Sequence, residues 1–175
     1  MRHVENAAEK VRIGKAAAEL VAPGASLFLT PSTTVEATAT AIAERPPAGL
    51  RVVTNSTVAA AILERCQYFN PANRWHLACE QPGAWRNGRS GNGREVSLRS
   101  GDHQHWSDRR GWSLLEYRDE EVVVARAMLR NARHKVLLAD HTKFSRVATF
   151  KLGHLRDVTT LVTDRVLIGA GNAFA

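Results

Sequence analysis

The stretch Ser26–Arg65, SLFLTPSTTVEATATAIAERPPAGLRVVTNSTVAAAILER, contains one three-part unit twice. Ser26-Leu27-Phe28-Leu29 is a short apolar run of strand length. Thr30-Pro31-Ser32-Thr33-Thr34 follows as a loop of small polar residues, then an alanine-rich helix from Val35 to Arg45 that Pro46-Pro47-Ala48-Gly49 ends. Leu50-Arg51-Val52-Val53 repeats the strand, Thr54-Asn55-Ser56 the loop, and Thr57–Arg65 the helix. Strand, loop and helix in alternation predict βαβ units around a parallel sheet.

Upstream, Val11, Ile13, Ala16, Ala17 and Leu20 recur at roughly helical spacing within Glu9–Leu20, and Pro23-Gly24 stops that helix. Downstream, acids in Glu116–Glu121 open a further helix. Its buried side is expected to be Val122, Val123, Ala125, Met128 and Leu129, with Arg130, Arg133 and His134 near its end. Lys135–Asp140 reads as a strand with an acid at its carboxyl end, and Val158–Thr163 as another, ending on Asp164. Only eleven residues follow Asp164, too few for one more helix and strand.

Between these ordered segments the pattern breaks. Cys66–Trp112 holds all four tryptophans, both cysteines and six glycines, yet its only Val and Leu are Leu77, Val96 and Leu98. A buried parallel sheet wants aliphatic strands, so this stretch is expected to supply none.

The 175 residues suit one domain spanning 1–175, and 44% hydrophobic with 23% charged residues matches a globular chain. No 18-residue apolar run exists and the N-terminus lacks a signal-peptide core, so a cytoplasmic protein that does not enter the membrane is expected. Cys66 and Cys79 are too few for a disulfide framework and lack a zinc spacing. Lys and Arg outnumber Asp and Glu by 24 to 17, which invites a polyanion. One reading of that excess is a nucleic-acid binder using Trp85, Arg86, Arg89 and Arg94.

Ligands of open parallel sheets bind beyond the carboxyl ends of the strands. Three loops fall there. Thr33, Thr34, Asn55 and Ser56 sit where helices begin, so their hydroxyls and amides, with the helix N–H groups, suit a phosphate or a sugar hydroxyl. The alternative for each is plain helix capping. In Asp140-His141-Thr142-Lys143-Phe144, Asp140 can accept from a sugar hydroxyl and Lys143 can pair with a phosphate; the alternative is a turn cap and a solvated lysine. His141 alone reads as an incidental loop residue. Asp102, His103 and His105 lack further ligands, so no metal is expected. Arg86–Arg94 lacks the Gly-Lys-Ser/Thr ending of a phosphate loop. No catalytic residue and no cofactor follow from any of these segments.

EKVRIGKAAAELVAPGASLFLTPSTTVEATATAIAE (Glu9–Glu44), LRVVTNSTVAAAILE (Leu50–Glu64), YRDEEVVVARAMLRNARHKVLLADHTKFSRVA (Tyr117–Ala148) and VTTLVTD (Val158–Asp164) together resemble the effector-sensing domain of DeoR-type transcriptional repressors. The resemblance implies an α/β fold with an open, mostly parallel sheet and flanking helices, like that of sugar-phosphate isomerases. It implies a phosphorylated sugar effector, self-association and no enzymatic activity. The chain departs from the family in four places. No winged helix-turn-helix precedes Glu9, so no specific DNA binding by this chain alone is expected. Thr30-Pro31-Ser32 replaces the usual acidic start of the first ligand loop. The centre, 66–112, is unlike the family and has the character of a shifted reading frame or an insertion. The last helix and strand are missing. The expectation is therefore a sensor domain incomplete at its centre and C-terminus, an impaired fragment; the alternative is a small phosphosugar isomerase on the same fold.

Overall fold

The computed structural model describes residues 6–67, 74–77, 95–100, 103–106, 112–145 and 147–165. The chain opens with helix α1 (Ala7–Glu19) and strand β1 (Ser26–Leu29). Between them Gly24 takes φ 73°, a left-handed turn that costs glycine little, and its N–H bonds Ala48 O at 2.8 Å. Helix α2 (Thr33–Glu44), strand β2 (Arg51–Thr54) and helix α3 (Thr57–Gln67) complete the repeated unit within a few residues of the expected limits.

Strands β3 (Arg74–Leu77), β4 (Glu95–Ser100), β5 (His103–Trp106) and β6 (Trp112–Glu116) follow, then helix α4 (Asp119–Asn131). Strand β7 (His134–Leu138), a 3-10 turn (His141–Ser145), strand β8 (Phe150–His154), a second 3-10 turn (Leu155–Asp157) and strand β9 (Thr160–Val162) complete the described chain. Six strands form a wholly parallel sheet in the order β3-β2-β1-β4-β7-β9. The chain builds outward from β1 on one side, then crosses to β4 and continues on the other. Strands β5, β6 and β8 form a separate antiparallel sheet.

Period-two alternation divides the core between the two faces of the large sheet. Leu27, Leu29, Val52, Val136 and Leu138 bury with Ile13, Ala17, Val35, Ala39 and Ile42 of α1 and α2. Leu137, one residue out of phase, joins Leu114, Val122, Ala125, Leu152 and Leu155 on the opposite face.

Three expectations are corrected. Cys66–Trp112 does supply strands: β4 pairs with β1 on one side and β7 on the other, at the middle of the sheet. Backbone hydrogen bonds carry that pairing, and Glu95-Val96-Ser97-Leu98-Arg99 has the apolar–polar alternation that a search for an aliphatic run overlooks. The antiparallel sheet was not foreseen either, since its strands are short and β8 joins the consecutive β5 and β6 only from beyond α4 and β7. Finally, Val123 does not join the buried side of α4. It is 65% exposed, because α4 packs through Val122, Ala125 and Met128, while Val123 lies about 100° further round the helix. The expected loss of a last helix and strand falls on residues 166–175, outside the described residues.

Helix α1 meets α2 at Gly14 with no room for a side chain. A Cβ there would stand 2.7 Å from Ala37 C and 2.8 Å from Thr38 N, both backbone atoms that cannot swing aside. Gly14→Ala should therefore lose stability, by about 1–3 kcal/mol from overpacking, although alanine favours an isolated helix. Urea unfolding of both proteins checks this. Equal or greater stability of the variant would mean that the helices separate freely at this contact.

Candidate functional site

Because all six strands of the large sheet run the same way, the loops after β1, β2, β7 and β9 open on one edge. At ~4.8 Å per strand, the β1 and β7 loops are separated by roughly 10 Å across the end of β4. That gap is where the strand order reverses, the usual ligand position in open α/β sheets.

The first two loops are tied together. Thr54 Oγ1 donates to Leu29 O at 2.8 Å, at the end of the neighbouring strand, and accepts from Ser56 N at 2.9 Å. Ser56 is buried and its Oγ accepts from Ala59 N at 3.1 Å, so it caps α3. Ser32 caps α2 in the same way, accepting from Val35 N at 3.1 Å. Thr33 is the half-buried first residue of α2, and Thr34 is buried behind it. The structure thus places Thr33, Thr34, Asn55 and Ser56 on the shared edge, with the capping role realised at Ser56.

The β7 loop centres on Asp140, which is 0% exposed. Its Oδ1 accepts from Thr142 N at 3.0 Å, from Thr142 Oγ1, and from Asn6 Nδ2 at 3.4 Å. Its carbonyl accepts from Lys143 N at 3.0 Å, starting the 3-10 turn that carries the half-buried lysine. Three buried side-chain atoms on this edge have no hydrogen-bond partner among the described residues: Asn55 Oδ1, Asp140 Oδ2 and Thr163 Oγ1. Buried polar groups are normally satisfied; the Asn55 and Asp140 oxygens can only accept, while the Thr163 hydroxyl can accept or donate.

His141 and Asp164 were missed as a pair. Asp164 Oδ1 accepts from His141 N at 2.7 Å, and its Oδ2 lies 2.7 Å from His141 Nδ1. Asp164 is 1% exposed and His141 28% exposed, while Arg165 Nε stands 3.7 Å from the carboxylate. Burial pushes the Asp164 carboxyl up. The hydrogen bonds from the His141 ring and backbone, the Asp164 backbone bond and the attraction of the imidazole outweigh that, and hold it below its ordinary 3.8. With Nδ1 committed to the buried acid, the other nitrogen of the partly exposed His141 ring is left outside that pair. The available signal was an acid just past each of two strands, Asp140 after β7 and Asp164 after β9.

This edge can therefore offer helix N-terminal N–H groups and hydroxyls to an anion, a lysine for charge, an imidazole ring, and buried oxygens for hydroxyl groups. Among the described residues no group of His, Cys, Asp and Glu is arranged to hold a metal. His103 and His105 lie on β5, and their side chains fall outside the described set. Trp85, Arg86, Arg89 and Arg94 fall outside the described residues altogether. A cavity of about 510 Å³ opens at the opposite, amino edge; Leu20, Ala22, Pro23, Ala25 and Val136 make it mainly apolar, so it lacks this chemistry. No helix among the described residues is long and apolar enough to cross a membrane.

Comparison with known proteins agrees with the geometry. The chain is 34% identical over 164 residues to the glycerol-3-phosphate regulon repressor of Haemophilus influenzae, covering 94% of this chain and 64% of that protein. It thus spans under two thirds of that relative's length. In three dimensions it resembles eIF2B delta from Chaetomium thermophilum, with TM-score 0.66 and 14% identity over 94% of this chain and 58% of that one. Ribose 5-phosphate isomerase A from Methanocaldococcus jannaschii matches with TM-score 0.56 and 15% identity, over 80% and 55% of the two chains. At such identities the likeness establishes the fold alone, a sugar-phosphate isomerase-like α/β sheet. The family model of the DeoR C terminal sensor domain matches residues 5–70 and 109–165, passing over the stretch that holds β3, β4 and β5. With the repeated βαβ unit, the Thr-Asn-Ser turn and the Asp-His-Thr-Lys-Phe segment all inside the matched parts, the chain belongs to the DeoR C-terminal sensor domain family.

Proposed function

We propose that this chain is the effector-sensing part of a transcriptional repressor, binding a small phosphorylated sugar or polyol at the carboxyl edge of the parallel sheet. The observation that carries the reading is the set of buried acceptors, Asn55 Oδ1, Asp140 Oδ2 and Thr163 Oγ1, beside two helix N-termini and Lys143. Hydroxyl groups answer the acceptors, and a phosphate answers the N–H groups and the lysine. Neither half alone would use both. The name of the Haemophilus relative, a glycerol-3-phosphate regulon repressor, denotes a regulon whose metabolite has this same composition.

In this reading the protein is a cytoplasmic binding module that senses its ligand without converting it and associates with further copies of itself. The stretch 66–112 carries a shifted reading frame or an insertion, which the break in the family match between residues 70 and 109 supports. Sequencing the coding DNA decides between these origins, since one-base corrections near Cys66 and Trp112 should restore family-like sequence only under the first. The isomerase alternative requires turnover of pentose or hexose phosphates, which assays should not detect.

Calorimetry with glycerol 3-phosphate and a panel of sugar phosphates tests the site. Lys143→Ala should weaken binding of the best ligand about ten- to a hundredfold, the value of a charged hydrogen bond of ~1.5–3 kcal/mol. His141→Ala should also weaken it. Equal affinity for a phosphorylated ligand and its unphosphorylated counterpart would overturn the reading.

The Asp164 carboxyl predicts an acid dependence with a defined sign. Its folded pKa lies below its unfolded value of about 3.8, so its stabilising effect is complete above that value and is lost as pH falls through the folded pKa. Denaturant midpoints measured from neutral pH down to this range should fall more steeply for the parent than for Asp164→Asn. Parallel curves would show that the carboxylate contributes nothing specific.

A further inference from the structure

Helix α4 keeps one stripe of its surface out of the fold. Val122, Ala125 and Met128 are buried, and on the other side Glu120, Val123, Ala127 and Arg130 follow one another at spacings of three, four and three. This is the spacing of a helix–helix seam. At 65% exposure, Val123 is the most exposed large hydrophobic side chain among the described residues. Neighbouring charges are occupied within the chain: Arg118 pairs with Glu121 at 3.2 Å, and Arg126 donates to the carbonyls of Lys151 and Leu152. Glu120 and Arg130 have no ion-pair partner among the described residues.

The stripe is complementary to itself when reversed. In an antiparallel pair of α4 helices centred on residue 125, Glu120 faces the partner subunit's Arg130, and Val123 faces the partner subunit's Ala127. A two-fold axis repeats both contacts, giving two ion pairs around an apolar centre whose small alanines allow close approach. Glu120 and Arg130 cannot satisfy one another within a helix, because ten residues span about 15 Å. We propose that this face of α4 is a self-association surface and that its occupant is a second copy of this chain. The inference rests on the self-association in the functional reading above and names its surface; it is independent of the ligand. One short helix pair buries less than the ~1,200 Å² of a standard interface, so association in the micromolar range is expected.

Sedimentation velocity of the full chain over micromolar concentrations tests the surface. Glu120→Arg and Arg130→Glu should each weaken association about tenfold, because each places like charges opposite one another twice. The double variant E120R/R130E should restore it, since both partners exchange sign together. Restoration cannot come from a firmer helix: the double variant puts a cation at the positive end of the dipole and an acid at the negative end, so α4 itself is weakened. Val123→Asp should abolish association, and circular dichroism melting establishes that each variant is folded. Association unaffected by these variants, or reduced by the singles without restoration in the double, overturns the α4 surface but leaves self-association standing. A monomer at all concentrations overturns both.

Discussion

A parallel ladder cannot be closed by tight turns; each return needs a crossover segment, and here helices supply several of these. That constraint accounts for the division of labour in the molecule. The helices bury Leu27, Leu29, Val52 and Val136 on one face and Leu137 on the other. The common direction of the strands delivers the loops after β1, β2, β7 and β9 to one edge. Residues distant in sequence, from Thr33 to Asp164, become neighbours on that edge without any local signal linking them.

The two βαβ units were legible because each rests on local physics: a four-residue apolar strand, a small polar loop that caps the next helix, and proline or glycine where a helix must stop. Ser26–Leu29 was read to the residue. Strand β4 was not legible, because its two aliphatic residues give too short an alternation to stand out, and its place is decided by the backbones of β1 and β7. Val123 was misassigned for a related reason. An apolar residue counts toward either face of a helix until the packing partner is known, and α4 places its neighbours Val122 and Ala125 inward.

Within the site, the hydroxyl groups divide according to what the fold already asks of them. Ser32 and Ser56 accept from the N–H groups of the helices they cap, and Thr54 joins β1 to the β2 loop. Capping and ligand contact are alternatives for each small polar residue in the sequence, and the structure shows the capping role taken by Ser32 and Ser56. The missed element, the His141–Asp164 pair, spans 23 positions and links the β7 loop to the end of β9. No spacing rule reveals such a contact, since only the parallel pairing of β7 with β9 brings the two chain segments side by side.

The same edge reaches back to the start of α1. Asn6 precedes the helix in a left-handed conformation, φ 54°, which asparagine tolerates better than most residues. Its Nδ2 lies 3.4 Å from both Asp140 Oδ1 and Thr142 Oγ1. These are long hydrogen bonds, and long bonds break readily when an acceptor is drawn elsewhere. Asp140 holds one oxygen on Asn6 and Thr142 and keeps the other buried without a donor. The contact between α1 and α2 at Gly14 leaves little slack within the helix layer. The two long bonds from Asn6 thus tie the Asp140 loop to the residue that precedes α1.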